Sequence, residues 1–176
     1  MTTAQNIIHW LVTSAVWFAV GMLLIREAKK KYGFDVFARG RKVGVPGIVG
    51  AIVCVAVMAF SQYLDWGGFK PALEFERLGA VKFIFQYVYY FFETFLRSLV
   101  IIFGQKAFEL WFKNEKIPYG GIVLGLTWGL GHILSKGDLA IGLLTVASGF
   151  LMGASYLIVG RDYRKALPLL YVMFVI

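Results

Sequence analysis

The chain is 176 residues long, one domain by length, and 59% of it is hydrophobic while only 16% is charged, against roughly 25% charged in soluble domains. With 16 Phe, 9 Tyr, 5 Trp and 20 Gly against 4 Pro, and a mean hydropathy of +0.71, this excludes a soluble domain or a disordered chain and indicates an all-α, polytopic membrane helix bundle. Cys54 is the only cysteine, which excludes a disulfide-built scaffold, and the net charge of +8 sits between apolar runs, so no nucleic-acid partner is expected.

A span needs about 17–25 apolar residues, because a helix rises ~1.5 Å per residue through ~30 Å of hydrocarbon. The first such run is Ile7 to Ile25; no Lys or Arg precedes it, so it lacks the basic start of a signal peptide and is expected to be retained. The second is Pro46 to Leu64. The third begins near Leu78 and continues to Phe112, which reads as a span to about Phe103 followed by an amphipathic extension, Gly104 to Lys116. The fourth is Tyr119 to Leu134 and the fifth Leu139 to Val159. A last run, Ala166 to Ile176, is too short to cross and reads as a half-span. The expectation is one integral membrane domain, 1–176, of five to six segments, with the first two spans in 7–64 and a motif-bearing bundle in 78–176.

Charge gives orientation. Thirteen of the 18 Lys and Arg fall in the loops after spans one, three and five, and only Lys70, Arg77 and Lys136 fall in the others; Lys82 and Arg97 lie within the third apolar stretch. The positive-inside rule then predicts a multi-pass protein of the cell membrane with its N-terminus outside. Gly121, Gly125 and Gly129 on the fourth span, and Gly149 and Gly153 on the fifth, form ridges that suit close helix packing.

Ionisable groups inside a span call for a reason, since each costs on the order of 2.5–3.5 kcal/mol on insertion scales. Lys82, Gln86, Glu93 and Arg97 fall on one stripe of the third span at ~100° per residue. Glu93 and Arg97, at i,i+4, read either as a structural ion pair or as a polar active-site wall in which Arg97 holds the carboxylate; Lys82 is placed to snorkel. His132 closes the fourth span beside the glycine ridge, in a structural or a functional role, and His9 beside Trp10 reads as interfacial. Measured from the turn near residues 113–118, Glu93 lies ~30 Å and His132 ~21 Å along their helices. Helix tilt of ~20° or a break near Gly104 absorbs much of the difference. The two are expected to meet in the outer half of the membrane, in a cavity lined by the glycine faces.

The segment Phe92-Glu93-Thr94-Phe95-Leu96-Arg97, then Trp128-Gly129-Leu130-Gly131-His132, then Gly149–Gly153 with Arg161 and Ala166–Tyr171, resembles the motif series of the CAAX protease and bacteriocin-processing (CPBP, or Abi) membrane proteins. Their motifs are Glu-Glu-x-x-x-Arg, Phe-x-x-x-His, and a His followed four residues later by Asn. The resemblance covers about residues 85–176. It implies a helical fold that handles lipid-modified peptides, in whose proteases the first Glu activates water and the third-motif His and Asn stabilise an oxyanion. Here Phe92 stands at the first Glu, Tyr171 at the His and Val175 at the Asn, an atypical set for proteolysis.

The resemblance therefore implies catalytic roles for Glu93, His132 and Arg97, with the Tyr171 phenol as an oxyanion donor, and a substrate cavity walled by Gln86, Trp128 and Gly129. Phe92 is expected to dehydrate the site and disfavour hydrolysis. Three classes follow: acyl transfer on a lipid-anchored substrate, such as lipoprotein N-acylation; an intramembrane CAAX-type peptidase; or a non-catalytic bacteriocin-immunity or assembly protein. The expected partners are a membrane lipid, a lipidated peptide or lipoprotein, and a partner protein. Neither a cofactor nor a metal is expected: no phosphate loop and no H-E-x-x-H pair occurs, and two His and one Cys lie far apart.

Overall fold

The computed structural model describes residues 2–176, with the side chain of Lys136 outside the description. Among the described residues the fold is an all-α bundle without strands. Helix α1 (Thr3–Tyr32) starts in a capping box between Thr2 and Gln5 and ends at Gly33 in the left-handed region, with Lys29, Lys30 and Lys31 in the last turn, where cations complement the helix dipole. Helix α2 (Val45–Trp66) has a proline in its first turn. Helix α3 is Lys70–Phe112. Helix α4 (Tyr119–Leu124) passes through a π turn, Gly125–Gly129, into α5 (Leu130–Lys136). Helix α6 (Leu139–Ile158) is capped by Asp138, and α7 (Tyr163–Val175) by Asp162.

Among the described residues four helices, α1, α2, α3 and α6, are long and apolar enough to cross a membrane. They coincide with the first, second, third and fifth expected spans. The fourth is divided by its π turn, and the C-terminal half-span is α7, which begins three residues earlier than its apolar run because Asp162 caps it. The 104–116 extension is no separate element: α3 continues unbroken to Phe112. Apolar side chains such as Val12, Val16, Ile52 and Val53 are more than half exposed on α1 and α2, as lipid-facing surfaces are. The core lies between α3, α4, α6 and α7, around Leu99, Ile101, Ile102, Leu124, Met152, Leu170 and Met173.

The start of α3 departs most from the sequence reading. Gly79 has φ 72° and ψ 165°, which only glycine adopts without strain, and a Cβ there would meet nothing, so backbone conformation alone demands it. The consequence is a reversal. Sixteen residues of straight helix span ~24 Å, yet the Tyr90 hydroxyl donates to the Glu74 carboxylate over 2.8 Å, and Gln86 donates to the same oxygen over 2.9 Å. Residues 70–78 therefore fold back as a short limb against the long limb, 80–112, and carry Lys70 and Glu74 into the protein, where both are buried.

The glycine ridges join helices. A Cβ on Gly121 would come within 2.8 Å of the carbonyl oxygens of Gly149 and Phe150, and one on Gly149 within 2.8 Å of the Gly125 nitrogen. Backbone meets backbone there, as in small-residue interfaces in lipid. The glycine faces therefore do not line a cavity.

At the end of the bundle rich in basic residues, the 33–44 loop is clasped to the others. Arg161 pairs with Glu109 at 2.7 Å and Glu115 at 3.0 Å, Arg41 reaches Glu115 at 2.6 Å, and the Arg41 N–H donates to the Gly160 carbonyl over 2.7 Å. Hydrogen bonds from Arg161 and Arg41 hold the Glu115 carboxyl below its ordinary range. Hydrogen bonds from Arg164 hold that of Asp162 down to about 2. A carboxyl depressed by folding stabilises the fold above its unfolded pKa, near ~4, and that contribution disappears as pH falls through the folded value. The exposed Arg41–Glu115 part of the clasp should open as pH falls from about 4 into the acid range without unfolding the bundle, because so exposed a pair contributes little globally. Spin labels at Ala38 and Lys113 should move apart over that interval; an unchanged distance would contradict the assignment.

Candidate functional site

A cavity of about 420 Å³ opens among α2, α3, α5, α6 and α7. Four of the residues singled out in the sequence meet in its wall: Glu93, Arg97, Trp128 and His132. Their convergence comes from three helices. The long limb of α3 places Glu93 and Arg97 one turn apart, the π turn brings Trp128 to the same level, and α5 supplies His132.

The imidazole is oriented by the backbone. His132 Nδ1 lies 2.9 Å from the Trp128 carbonyl oxygen. A carbonyl only accepts, so Nδ1 carries the proton of the neutral ring and donates it, and Nε2 is left with its lone pair. A π turn tilts carbonyls out of the regular ladder, and the Trp128 carbonyl at its end is the one the ring engages.

The carboxylate and guanidinium sit deeper. Glu93 Oε1 is 3.7 Å from Arg97 Nη1, with the side chains 12% and 5% exposed. This is an ion pair beyond hydrogen-bond distance. The other terminal nitrogen of Arg97 faces the Met152 sulfur at 4.0 Å, and Nε has no hydrogen-bond partner among the described residues. The Trp128 and Phe174 rings pack against the guanidinium, 5.4 and 4.4 Å from their centroids.

The sequence reading missed Lys70, counting it among loop cations. Folded in by the Gly79 reversal, it lines the same cavity and is 5% exposed. Its ammonium donates to the Phe174 carbonyl over 2.8 Å and to Gln62 Oε1 over 3.1 Å, while Gln62 donates to the Met173 carbonyl over 2.8 Å. Lys70 and Gln62 thus satisfy carbonyls of the last turn of α7, which a helix leaves unpaired. The Lys70 ammonium also lies 5.2 Å from the Tyr90 ring centroid and 4.9 Å from that of Phe174. Asp65, Ser61, Thr145 and Ser148 add polar groups to the wall.

The other expected residues lie elsewhere. Gln86 is buried between Glu74 and Tyr90. Gly129 is pressed on Val146, whose nitrogen a Cβ would approach within 2.9 Å. The Tyr171 hydroxyl donates to the Tyr87 carbonyl over 3.1 Å and its ring meets Phe91 edge-on, because the cavity takes the Met173 and Phe174 side of α7. Phe92 turns toward Phe18 of α1 and does not dehydrate the site. Lys82 is half-buried outside the cavity lining. His9 is exposed near the start of α1.

Chemically the wall offers one imidazole nitrogen with a free lone pair, two carboxylates, Glu93 and Asp65, and two buried cations. That set can accept a proton and stabilise negative charge. Among the described residues, no three His, Cys, Asp or Glu side chains gather to hold a metal ion. Compared with protein-family models, curated proteins and solved structures, the chain matches none.

Proposed function

We propose that this chain is a CPBP-like membrane enzyme that transfers an acyl group from a lipid ester to the amine of a membrane-anchored amphiphile, a lipoprotein terminus. The observation that carries the reading is the open Nε2 of His132 in the cavity that also holds the Glu93–Arg97 pair. In the transfer, the substrate amine attacks the ester carbonyl and gives its proton to Nε2. A C–N bond forms, the ester C–O bond breaks, and the same proton passes to the departing alkoxide, which leaves as the alcohol of a lyso-lipid. Glu93 stabilises the transient imidazolium. Arg97 and Lys70 supply the positive field for the oxyanion, in place of the Tyr171 phenol, whose hydrogen bond is already made. No carboxylate occupies the Phe92 position to activate water, which favours transfer over peptide hydrolysis.

Access supports a lipid substrate. Near its N-terminus α2 meets α6, with Gly47 and Gly50 against Ile158. The cavity lies between the other halves of these helices, Met58 to Trp66 and Ile141 to Met152, with Leu144 of its wall 45% exposed. A ligand entering between these two helices would come sideways from the bilayer. Mass spectrometry of lipoprotein N-termini in cells with and without the protein tests the reading: N-acylated termini should appear only with it. Identical termini would favour the immunity or assembly alternative.

The charge asymmetry supports an N-terminus outside, placing the cavity toward the outer leaflet of the cell membrane. On a Cys54→Ala background, a cysteine at Lys30, exposed beside the basic loop, should resist impermeant thiol reagents in intact cells, and one at Phe69 should label. The reverse pattern would overturn this orientation.

A further inference from the structure

We infer, building on the acyl-transfer reading, that the acyl donor is a glycerophospholipid whose phosphate is held between Arg97 and Lys70. Arg97 is 4% exposed and has five N–H donors, yet the chain offers it one carboxylate at 3.7 Å, one thioether sulfur at 4.0 Å, and nothing for Nε among the described residues. A buried guanidinium without close acceptors is unfavourable, so its placement points to an acceptor brought from outside. Lys70 lies on the same Phe174 ring, so two buried cations lie side by side, with Glu93 and the exposed Asp65 as the carboxylates of the wall. Glu74 takes no part in this wall: its bonds go to Gln86 and Tyr90, its ion pair to Arg77, and it does not line the cavity.

Phosphate is the matching group. Its oxygens suit the guanidinium fork, and the ammonium adds a point charge. The rest of the wall suits an amphiphile rather than a free anion, since Met58, Ile141, Leu144 and Met152 supply an apolar part between α2 and α6, beside polar groups such as Asp65 and Ser148. About 420 Å³ accommodates a headgroup, glycerol and ester region, and the acyl chains remain among the helices.

Binding is measured on the purified full chain in a phosphate-free detergent, through the fluorescence of Trp128 and Trp66 in the cavity wall. The probes are dioctanoylphosphatidylglycerol, dioctanoylglycerol, which has the same esters and no phosphate, and inorganic phosphate. The phosphatidylglycerol should bind at least ~10-fold tighter than either of the others, as expected when charge-assisted hydrogen bonds are added to apolar contact. Arg97→Lys should remove most of that preference, bringing the two glycerolipids to within a few-fold of each other. Equal affinity for the two glycerolipids overturns phosphate recognition, and inorganic phosphate binding as tightly as the lipid overturns the lipid donor; both comparisons use the parent protein and need no variant to fold. The assay reads binding alone. It fails while transfer stands if the donor is another ester, and succeeds while transfer fails if the protein only binds lipid.

Discussion

His132→Ala is expected to lower acyl transfer by ~100-fold or more, the usual contribution of a positioned general base, while leaving thermal unfolding nearly unchanged. The ring is half-buried at the cavity wall and its bond is to the carbonyl of Trp128 in its own helical segment, so its loss removes chemistry rather than packing. His132→Gln separates the roles further. An amide can replace the donation to the Trp128 carbonyl but supplies no lone pair of comparable basicity, so it should restore local order without restoring rate. Turnover by His132→Ala within a few-fold of the parent would remove the base from the mechanism.

The second large effect is on stability. Arg97→Met should destabilise the protein by about 3–5 kcal/mol, the range for leaving a buried charge without its partner, seen as a lower midpoint in detergent by tryptophan fluorescence. The 3.7 Å separation and the presence of Lys70 in the same wall place the effect toward the lower end. Adding Glu93→Leu should recover much of the loss, because a buried pair replaced by apolar groups is often neutral or stabilising. The double variant should still be inactive. A single variant as stable as the parent would show that Glu93 does not depend on Arg97.

The apolar runs were legible because length and hydropathy alone define a span, and α2 and α6 match their runs to within two residues at either end. Glu93, Arg97, Trp128 and His132 were legible because charge inside a span is conspicuous and their spacing is fixed by the helix. Gln86 was misplaced for a physical reason. It shares the angular stripe with Glu93 but lies two turns away, at the height where Glu74 reaches it. Angle alone carries no depth. Lys70 and Glu74 were invisible because their position depends on a reversal at Gly79, which no apolar periodicity announces. The one signal that could have found Lys70 is indirect: a final half-span ends its carbonyls inside the apolar layer, and such a helix needs a donor from elsewhere in the fold. Tyr171 and Gly129 show the complementary error, in which motif spacing identifies a helix but not the face it turns to the site.

The proposed reaction moves an acyl group from a lipid ester to an amine in this cavity, with His132 as the base. Proteoliposomes of the purified protein, containing phosphatidylglycerol with isotopically labelled acyl chains and a synthetic diacyl lipopeptide with a free N-terminal amine, test it most directly by mass spectrometry of the peptide. A labelled amide on the amine and an equal amount of lyso-lipid are expected, both lost in His132→Ala. An unmodified amine with the parent protein, or equal labelling by His132→Ala, would contradict it.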